Sequence, residues 1–506
     1  MSGRKTAAGK TSVGTGAAIV YKRAMSIKKS LAWMGIAQTA VFIMQFGASA
    51  ILARYLLPHE IGVYAIGLAT VALLSLLQAI GLQALIVREL ELTTAIRDTA
   101  FTINAAISCI LSVGTFLLSY AGGALFREEG VRQVLAVLAI TPLFAIPSFL
   151  PAALLERDGK FRETSFAILV MNAVNACATV FLAMLGFSYM SLAYASVLSS
   201  ASLSLMFIVF GRQNLRCVIA VREWRRIANF GMQMLAVSTL TTVSQRLCDL
   251  LLGRILGLSA LGLYSRASGV NNMLWGNIHA LASRVVFVDF ARLHRSGVSL
   301  RERYIAVAAM VTAILWPAFA GLAVVAKPFL ILVYGENWSG AALPLTYLAM
   351  SSFLLVAITM RWEVCTATGS VAVQTRVEAI RAPLSLALFT AACFISLEAA
   401  AASRILDAAI AYALYRPHLS RLTDTGFRDL RRVYAQSLLL TIGAVTPAGA
   451  LVASTHSGTP AFAPLITAIL FGIFSWASLL YMMRHPLSLE VIATVRSRIP
   501  RLRGRH

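Results

Sequence analysis

The chain has 506 residues and a formal net charge of +23, yet it is 58% hydrophobic and only 13% charged. A soluble domain carries about 25% charged residues, so water cannot solvate this surface and lipid must. Apolar runs of 18 or more residues recur along the whole length. Each is long enough to cross a bilayer as a helix and too long for the strands of a membrane β-barrel.

In chain order, residues 1–29 are polar and basic and lack the apolar core of a signal peptide, so they read as a disordered cytoplasmic tail. Within it Gly9-Lys10-Thr11 looks like the end of a phosphate-binding loop. The glycine that motif needs five residues earlier is Arg4, which excludes it. Fourteen apolar segments follow, near 31–53, 62–87, 99–121, 132–155, 165–186, 189–210, 230–253, 262–283, 304–326, 341–362, 374–396, 399–415, 434–454 and 461–483. The expected fold class is therefore all-α, a polytopic membrane protein with about fourteen transmembrane helices.

The charge is concentrated in every second connection. The tail, 88–98, 156–163, 211–229, 284–303, 361–373, 416–432 and 484–506 are basic, whereas the intervening loops hold only Arg54, Arg127, Arg254 and Lys327. This is the positive-inside pattern, so the charge needs no nucleic acid as partner, and it places both termini in the cytoplasm. The six cysteines are scattered without a CxxC pair, which indicates neither a disulfide framework nor a metal site.

The chain also repeats itself at a spacing of 200. Thr39, Gln45, Leu52, Arg54, Leu56, Gly62, Tyr64 and Leu74 match Thr239, Gln245, Leu252, Arg254, Leu256, Gly262, Tyr264 and Leu274 without a gap. The copies start six segments apart, an even number, so two six-helix lobes should be related by an axis along the membrane normal, a parallel internal repeat. The expected division is 30–210 for the first lobe, 211–229 for a basic linker, 230–418 for the second lobe, 419–483 for two additional helices and 484–506 for a basic tail.

Charges at membrane depth are costly and usually face a cavity or a partner. Arg246, Asp249, Gly253 and Gly257 fall within about 80° of one another on a helix. The two charges there read as cavity-facing, and the two glycines as a helix contact. Ser265, Ser268, Asn272, Gly276 and His279 share one face of the next segment, flanked by Arg266 and Asn271. Gln38, Gln45 and Ser49 share a face of the first. Matching segments of both halves thus carry polar faces in register, as a central path between lobes would need; single interhelical hydrogen bonds are the plainer reading. Arg404 and Asp407 form another pair three residues apart. Glu363, Glu378 and Arg381 lie near cytoplasmic ends, where snorkelling could place their heads in water. Catalytic motifs, nucleotide loops and large soluble loops are missing from the sequence, so an enzyme is not expected, and transport would be passive or driven by an ion gradient.

At Leu52-Ala-Arg54-Tyr-Leu-Leu-Pro58-His-Glu-Ile-Gly62-Val-Tyr64, running on to Gly81-Leu-Gln-Ala-Leu-Ile-Val-Arg88, the sequence resembles the polysaccharide-transport (Wzx-like) flippases. So do Arg246-Leu-Cys-Asp249-Leu-Leu-Leu-Gly253-Arg254-Ile-Leu-Gly257, Leu261-Gly262-Leu-Tyr264-Ser265-Arg266-Ala267 and Leu155-Glu-Arg157-Asp-Gly-Lys160-Phe-Arg162. The resemblance covers most of residues 30–420. It implies the fold of the multidrug/oligosaccharidyl-lipid/polysaccharide exporter superfamily in a bacterial inner membrane. It implies a cargo of undecaprenyl-diphosphate-linked oligosaccharide, with a polysaccharide polymerase and a chain-length regulator as partners. On that reading Arg246, Arg254, Arg266 and Arg404 are the expected anion contacts. Gln45, Gln245, Asn271 and Asn272 are the expected glycan contacts. Asp249 and Asp407 are the expected sites of proton or sodium coupling, unless the arginine three residues before each neutralises it. Arg54 and Arg254 could instead cap helix ends. A drug/cation antiporter of the same superfamily, a peptidoglycan-precursor flippase and a scaffold of a glycan-synthesis complex remain alternatives.

Overall fold

The structure, a computed structural model, describes residues 38–78, 81–89, 91–212, 218–454, 462–483 and 485–488. The N-terminal tail, most of the C-terminal tail, residues 213–217 of the linker and the loop 455–460 lie outside the described residues, as do the side chains of Ser238, Thr239 and His279.

All regular structure among the described residues is helical. In the first half α1 covers 38–55, α2 Pro58–Leu74, α3 Leu82–Arg88 and α4 Thr94–Phe126; α5 covers Glu129–Leu138, α6 Ala145–Arg157, α7 Phe161–Met184 and α8 Met190–Phe210. In the second half α9 covers Trp224–Ile255, α10 Leu258–Arg295, α11 Arg301–Tyr334 and α12 Ala342–Val356; α13 covers Arg361–Ala367, α14 Val371–Cys393 and α15 Leu397–Thr423. Two more, α16 at Phe427–Ser454 and α17 at Phe462–Met482, close the chain.

Where the expected apolar segments fall on described residues they are mainly helix, several with a break inside. Nine spans among the described residues are long and apolar enough to cross a membrane. Helices α1, α9, α10, α14 and α15 are the more polar ones, and they carry most of the candidate site residues. Several breaks have local causes. Gly81 stands at φ +68 before α3, Pro142 sits in a 3-10 turn before α6, and Met360 takes φ +60 between α12 and α13. The basic stretch 284–303, expected as a loop, is helix as far as Arg295. The 38 residues of α10 span about 57 Å, well beyond a bilayer core of about 30 Å, so its basic end continues as helix past the membrane.

The repeat has a direct structural counterpart. The chain breaks after α1 at Leu56-Leu57 and after α9 at Leu256-Gly257, so α2 and α10 begin at Pro58 and Leu258, 200 residues apart. These two helices cross at their starts. A Cβ on Gly62 would land on the carbonyl oxygen of Leu258, and a Cβ on Gly262 on that of Pro58. The contact is thus the same in both directions, as a pseudo-two-fold axis between the halves requires. Without a hydrophobic effect between helices in lipid, such backbone proximity at small residues is a main source of association.

The Gly253–Gly257 pair is not the helix contact expected. Gly253 packs against Ile66 of α2, but Gly257 meets nothing and supplies φ +89 in the turn. Its partner position in the first half uses extended Leu57 followed by Pro58 instead.

A buried apolar core joins the two halves around this crossing, and a second fills the later half around Trp316, Phe319 and Tyr415. The closing pair packs on the outside, α16 on α11 and α17 on α16. The indole of Trp476 there donates to Ala313 O at 2.8 Å.

Candidate functional site

Beyond the glycine crossing the halves part around a cavity of about 450 Å³, lined from both sides. The first half contributes Gln45 and Ser49 of α1 and Asn172, Asn175 and Thr179 of α7; the second contributes Arg246, Asp249, Arg266 and Asn272. Gln45 donates to Asn172 Oδ1 at 2.8 Å, and Asn175 donates to Ser199 Oγ at 3.3 Å. The α7 stripe was missed in the sequence. Its spacing of three and four residues was the available signal, masked because each amide alone looked like an isolated polar residue.

Three ionisable groups set the cavity's charge. Arg246 pairs with Asp249 at 3.4 Å, so this neighbouring arginine does neutralise its aspartate. Arg266 has no carboxylate within ion-pair reach among the described residues. It donates to Ser49 Oγ across the boundary, and its guanidinium lies over the rings of Tyr334 and Trp338, at 4.8 and 4.7 Å from their centroids. Two arginines against one aspartate leave the cavity one positive charge in surplus. Low-dielectric walls strengthen the effect of that surplus on an anion.

A second chamber of about 600 Å³ lies within the later half and shares Arg246, Asp249, Ser268 and Asn272 with the first. Gln245, Asn271 and Arg404 line it. Asn271 is buried and exchanges hydrogen bonds with Ser352 at 2.9 and 3.1 Å. Arg404 donates to Ser385 Oγ and Cys248 Sγ, each at 3.0 Å, and sits 4.0 Å from the Phe389 centroid.

Two pairings differ from expectation. Asp407 is held by Arg381 of the neighbouring α14, at 2.8 and 2.9 Å, and not by Arg404. Helical spacing put Arg404 and Asp407 near each other, but α14 packs alongside α15 and brings one Nη of Arg381 within reach of both Asp407 oxygens. Nor do Glu378 and Arg381 reach out to water. Arg381 bridges Glu378 and Asp407, Tyr415 donates to Glu378 at 2.8 Å, and both carboxylates are buried.

Arg254 stands exposed at the end of α9, outside both cavities. Arg54 caps a helix, donating to Leu332 O in the last turn of α11 at 2.7 Å. These cross-boundary bonds, with Trp338 donating to Ala53 O at 2.9 Å, gather at the end of the molecule where α2 and α10 cross.

A bundle of membrane-spanning helices in two related halves around a polar, cation-rich cavity has the build of a membrane transporter. The chain belongs to the polysaccharide biosynthesis protein family, which it matches over residues 51–343. It is 24% identical over 334 residues to the succinoglycan biosynthesis transport protein ExoT of Rhizobium meliloti, covering 66% of this chain and 67% of that one. It is 25% identical over 313 residues to the lipopolysaccharide biosynthesis protein WzxC of Escherichia coli, covering 61% and 63%. Its fold is like that of the lipid II flippase MurJ in an inward closed conformation, with a TM-score of 0.71, 12% identity and coverage of 90% of this chain and 99% of that one. It is also like an inward-facing multidrug resistance transporter of the MATE family, with a TM-score of 0.53, 14% identity and coverage of 78% and 96%.

Proposed function

We propose that this protein is a flippase rather than an enzyme, carrying undecaprenyl-diphosphate-linked oligosaccharide from the cytoplasmic to the periplasmic leaflet of a bacterial inner membrane. The observation that carries the reading is the positive surplus of the interlobe cavity, with Arg266 lacking a counter-ion among the described residues. A diphosphate supplies the missing anion through charge-assisted hydrogen bonds. Gln45, Asn172, Asn175 and Asn272 present amides that match sugar hydroxyls, and the lipid tail stays among membrane lipids. The names of the relatives, in succinoglycan transport and lipopolysaccharide biosynthesis, agree with such a cargo.

In this reading residues 30–210 and 230–418 act as two lobes that rock about the glycine crossing, joined by the linker 211–229. Residues 419–483 are an added pair, and both tails, 1–29 and 484–506, are cytoplasmic. Energy comes from a proton or sodium gradient, and Asp249 or Asp407 serves as the coupling group in the step that releases it from Arg246 or Arg381. A polymerase and a chain-length regulator receive the product. A drug/cation antiporter would place carboxylates, not an arginine surplus, in the cavity between the lobes.

The test is the leaflet position of lipid-linked oligosaccharide in cells depleted of the protein. Accumulation on the cytoplasmic leaflet, reversed by re-expression, is the expected result. Normal periplasmic exposure on depletion would overturn the reading.

A further inference from the structure

The chamber within the later half differs in chemistry from the cavity between the halves. Its charged lining is balanced, with Arg246, Arg361, Arg381 and Arg404 against Asp249, Glu363, Glu378 and Asp407. A diphosphate gains nothing there on net charge. No three His, Cys, Asp or Glu residues among the described ones cluster as cation ligands either.

The hydrogen-bonding groups are mixed in the same way. Glu363 is 1% exposed and accepts from Ser283 through Oε1, but its Oε2 has no hydrogen-bond partner among the described residues. The Nε donors of Arg246 and Arg404 are also without partners among the described residues. Gln245 and Gln374 line the chamber and make no hydrogen bond among the described residues, so each offers one acceptor and two donors. Leaving the buried Glu363 and arginine atoms unpaired in a low-dielectric site is costly, and the two more accessible glutamines are free to bond a ligand. An acceptor-only ligand such as phosphate would serve the donors and be repelled by Glu363. A metal cation would serve Glu363 and be repelled by the arginines. A hydroxyl donates and accepts at once, so a polyhydroxylated ligand is the class that satisfies the whole set. Trp275 and Trp362 add flat apolar surfaces suited to the C–H face of a sugar ring.

From these observations we infer that the chamber is a glycan subsite, separate from the anion site between the halves, and that it selects cargo by its sugars. The chamber lies within the size range of ligand pockets. The residues common to both cavities, Arg246, Asp249, Ser268 and Asn272, form the passage through which a sugar attached to a diphosphate enters. The inference rests on the flippase reading and adds a location for its selectivity.

The experiment compares two probes on the full-length protein in nanodiscs. One is undecaprenyl diphosphate; the other is the lipid-linked oligosaccharide extracted from cells depleted of the protein. Gln374→Leu and Trp362→Ala are the variants, because both side chains are at least partly exposed and neither makes a hydrogen bond among the described residues. The expected result is at least a five-fold loss of affinity for the oligosaccharide probe, with affinity for the bare diphosphate unchanged. Unchanged affinity for both probes in two folded variants would overturn the glycan subsite alone. An equal loss for both probes would overturn the separation of sugar from anion. Failure of the unsubstituted protein to bind either probe would overturn the flippase reading itself.

Discussion

Arginines that look alike in the sequence do four different things. Arg246 is paired with its own helix's aspartate, Arg266 faces the cavity between two aromatic rings, Arg404 is locked to Ser385 and Cys248, and Arg254 is exposed outside both cavities. Arg246→Ala and Arg266→Gln are therefore expected to lower export of lipid-linked oligosaccharide at least ten-fold at equal membrane abundance. Arg254→Ala should leave export unchanged and shift stability by less than about 0.5 kcal/mol, as surface substitutions do. Quantifying export against immunoblotted protein checks all three. Full export by a stable Arg266→Gln protein would remove that residue from the anion site. The Arg381–Asp407 pair makes a different prediction. Its side chains are 17% and 12% exposed, so removing one partner strands a buried charge, at a cost of about 3 kcal/mol. Asp407→Asn should lower the melting temperature in detergent whether or not export is also lost. An unchanged melting temperature would argue that Arg381 is satisfied by Glu378 alone.

At the scale of elements, the determining contact is the crossing of α2 and α10. Gly62 and Gly262 are required there by space rather than by backbone dihedral, since both lie within helices and a Cβ would collide with a carbonyl oxygen of the facing helix. Gly262→Ala should push the helices apart and loosen the core joining the halves. Gly276→Ala, with no neighbour near the added carbon, should be tolerated. Protease sensitivity of the two variants in native membranes distinguishes them, and equal resistance would mean that the crossing yields without cost. The sequence showed this element well, because an Arg, a Gln, a Gly and a Tyr recurring in one register do not arise from apolar composition. It did not show the role of Gly257. A glycine four residues after another on a helical face reads as a packing pair, and only the φ of +89 reveals a turn. The break at Met360 was equally hidden, since methionine carries no signal for a left-handed conformation.

For the whole molecule, the charge asymmetry of the loops makes a topological prediction. In a cysteine-free background, Ser296→Cys in the turn after α10 should react with an impermeant maleimide only after the membrane is opened. Phe187→Cys, in the exposed connection after α7, should react from the periplasm in intact cells. Reversed labelling would invert the orientation. The sequence by itself determined that the chain lives in lipid and that its halves are related, and it set the expectation for the side its basic loops face. Those properties follow from composition, from charge spacing and from a 200-residue offset, all of which are local or additive along the chain. It also placed Arg246, Asp249, Gln45 and Asn272 on polar faces that the structure brings to one cavity. Only the tertiary structure decided the partners of the buried charges, because an ion pair between α14 and α15 depends on which helices pack side by side. For the same reason it alone divided the polar lining into two chambers, one with a positive surplus and one balanced. Helix periodicity gives the direction of a side chain from its own axis, whereas the company it keeps is set by the neighbouring helix.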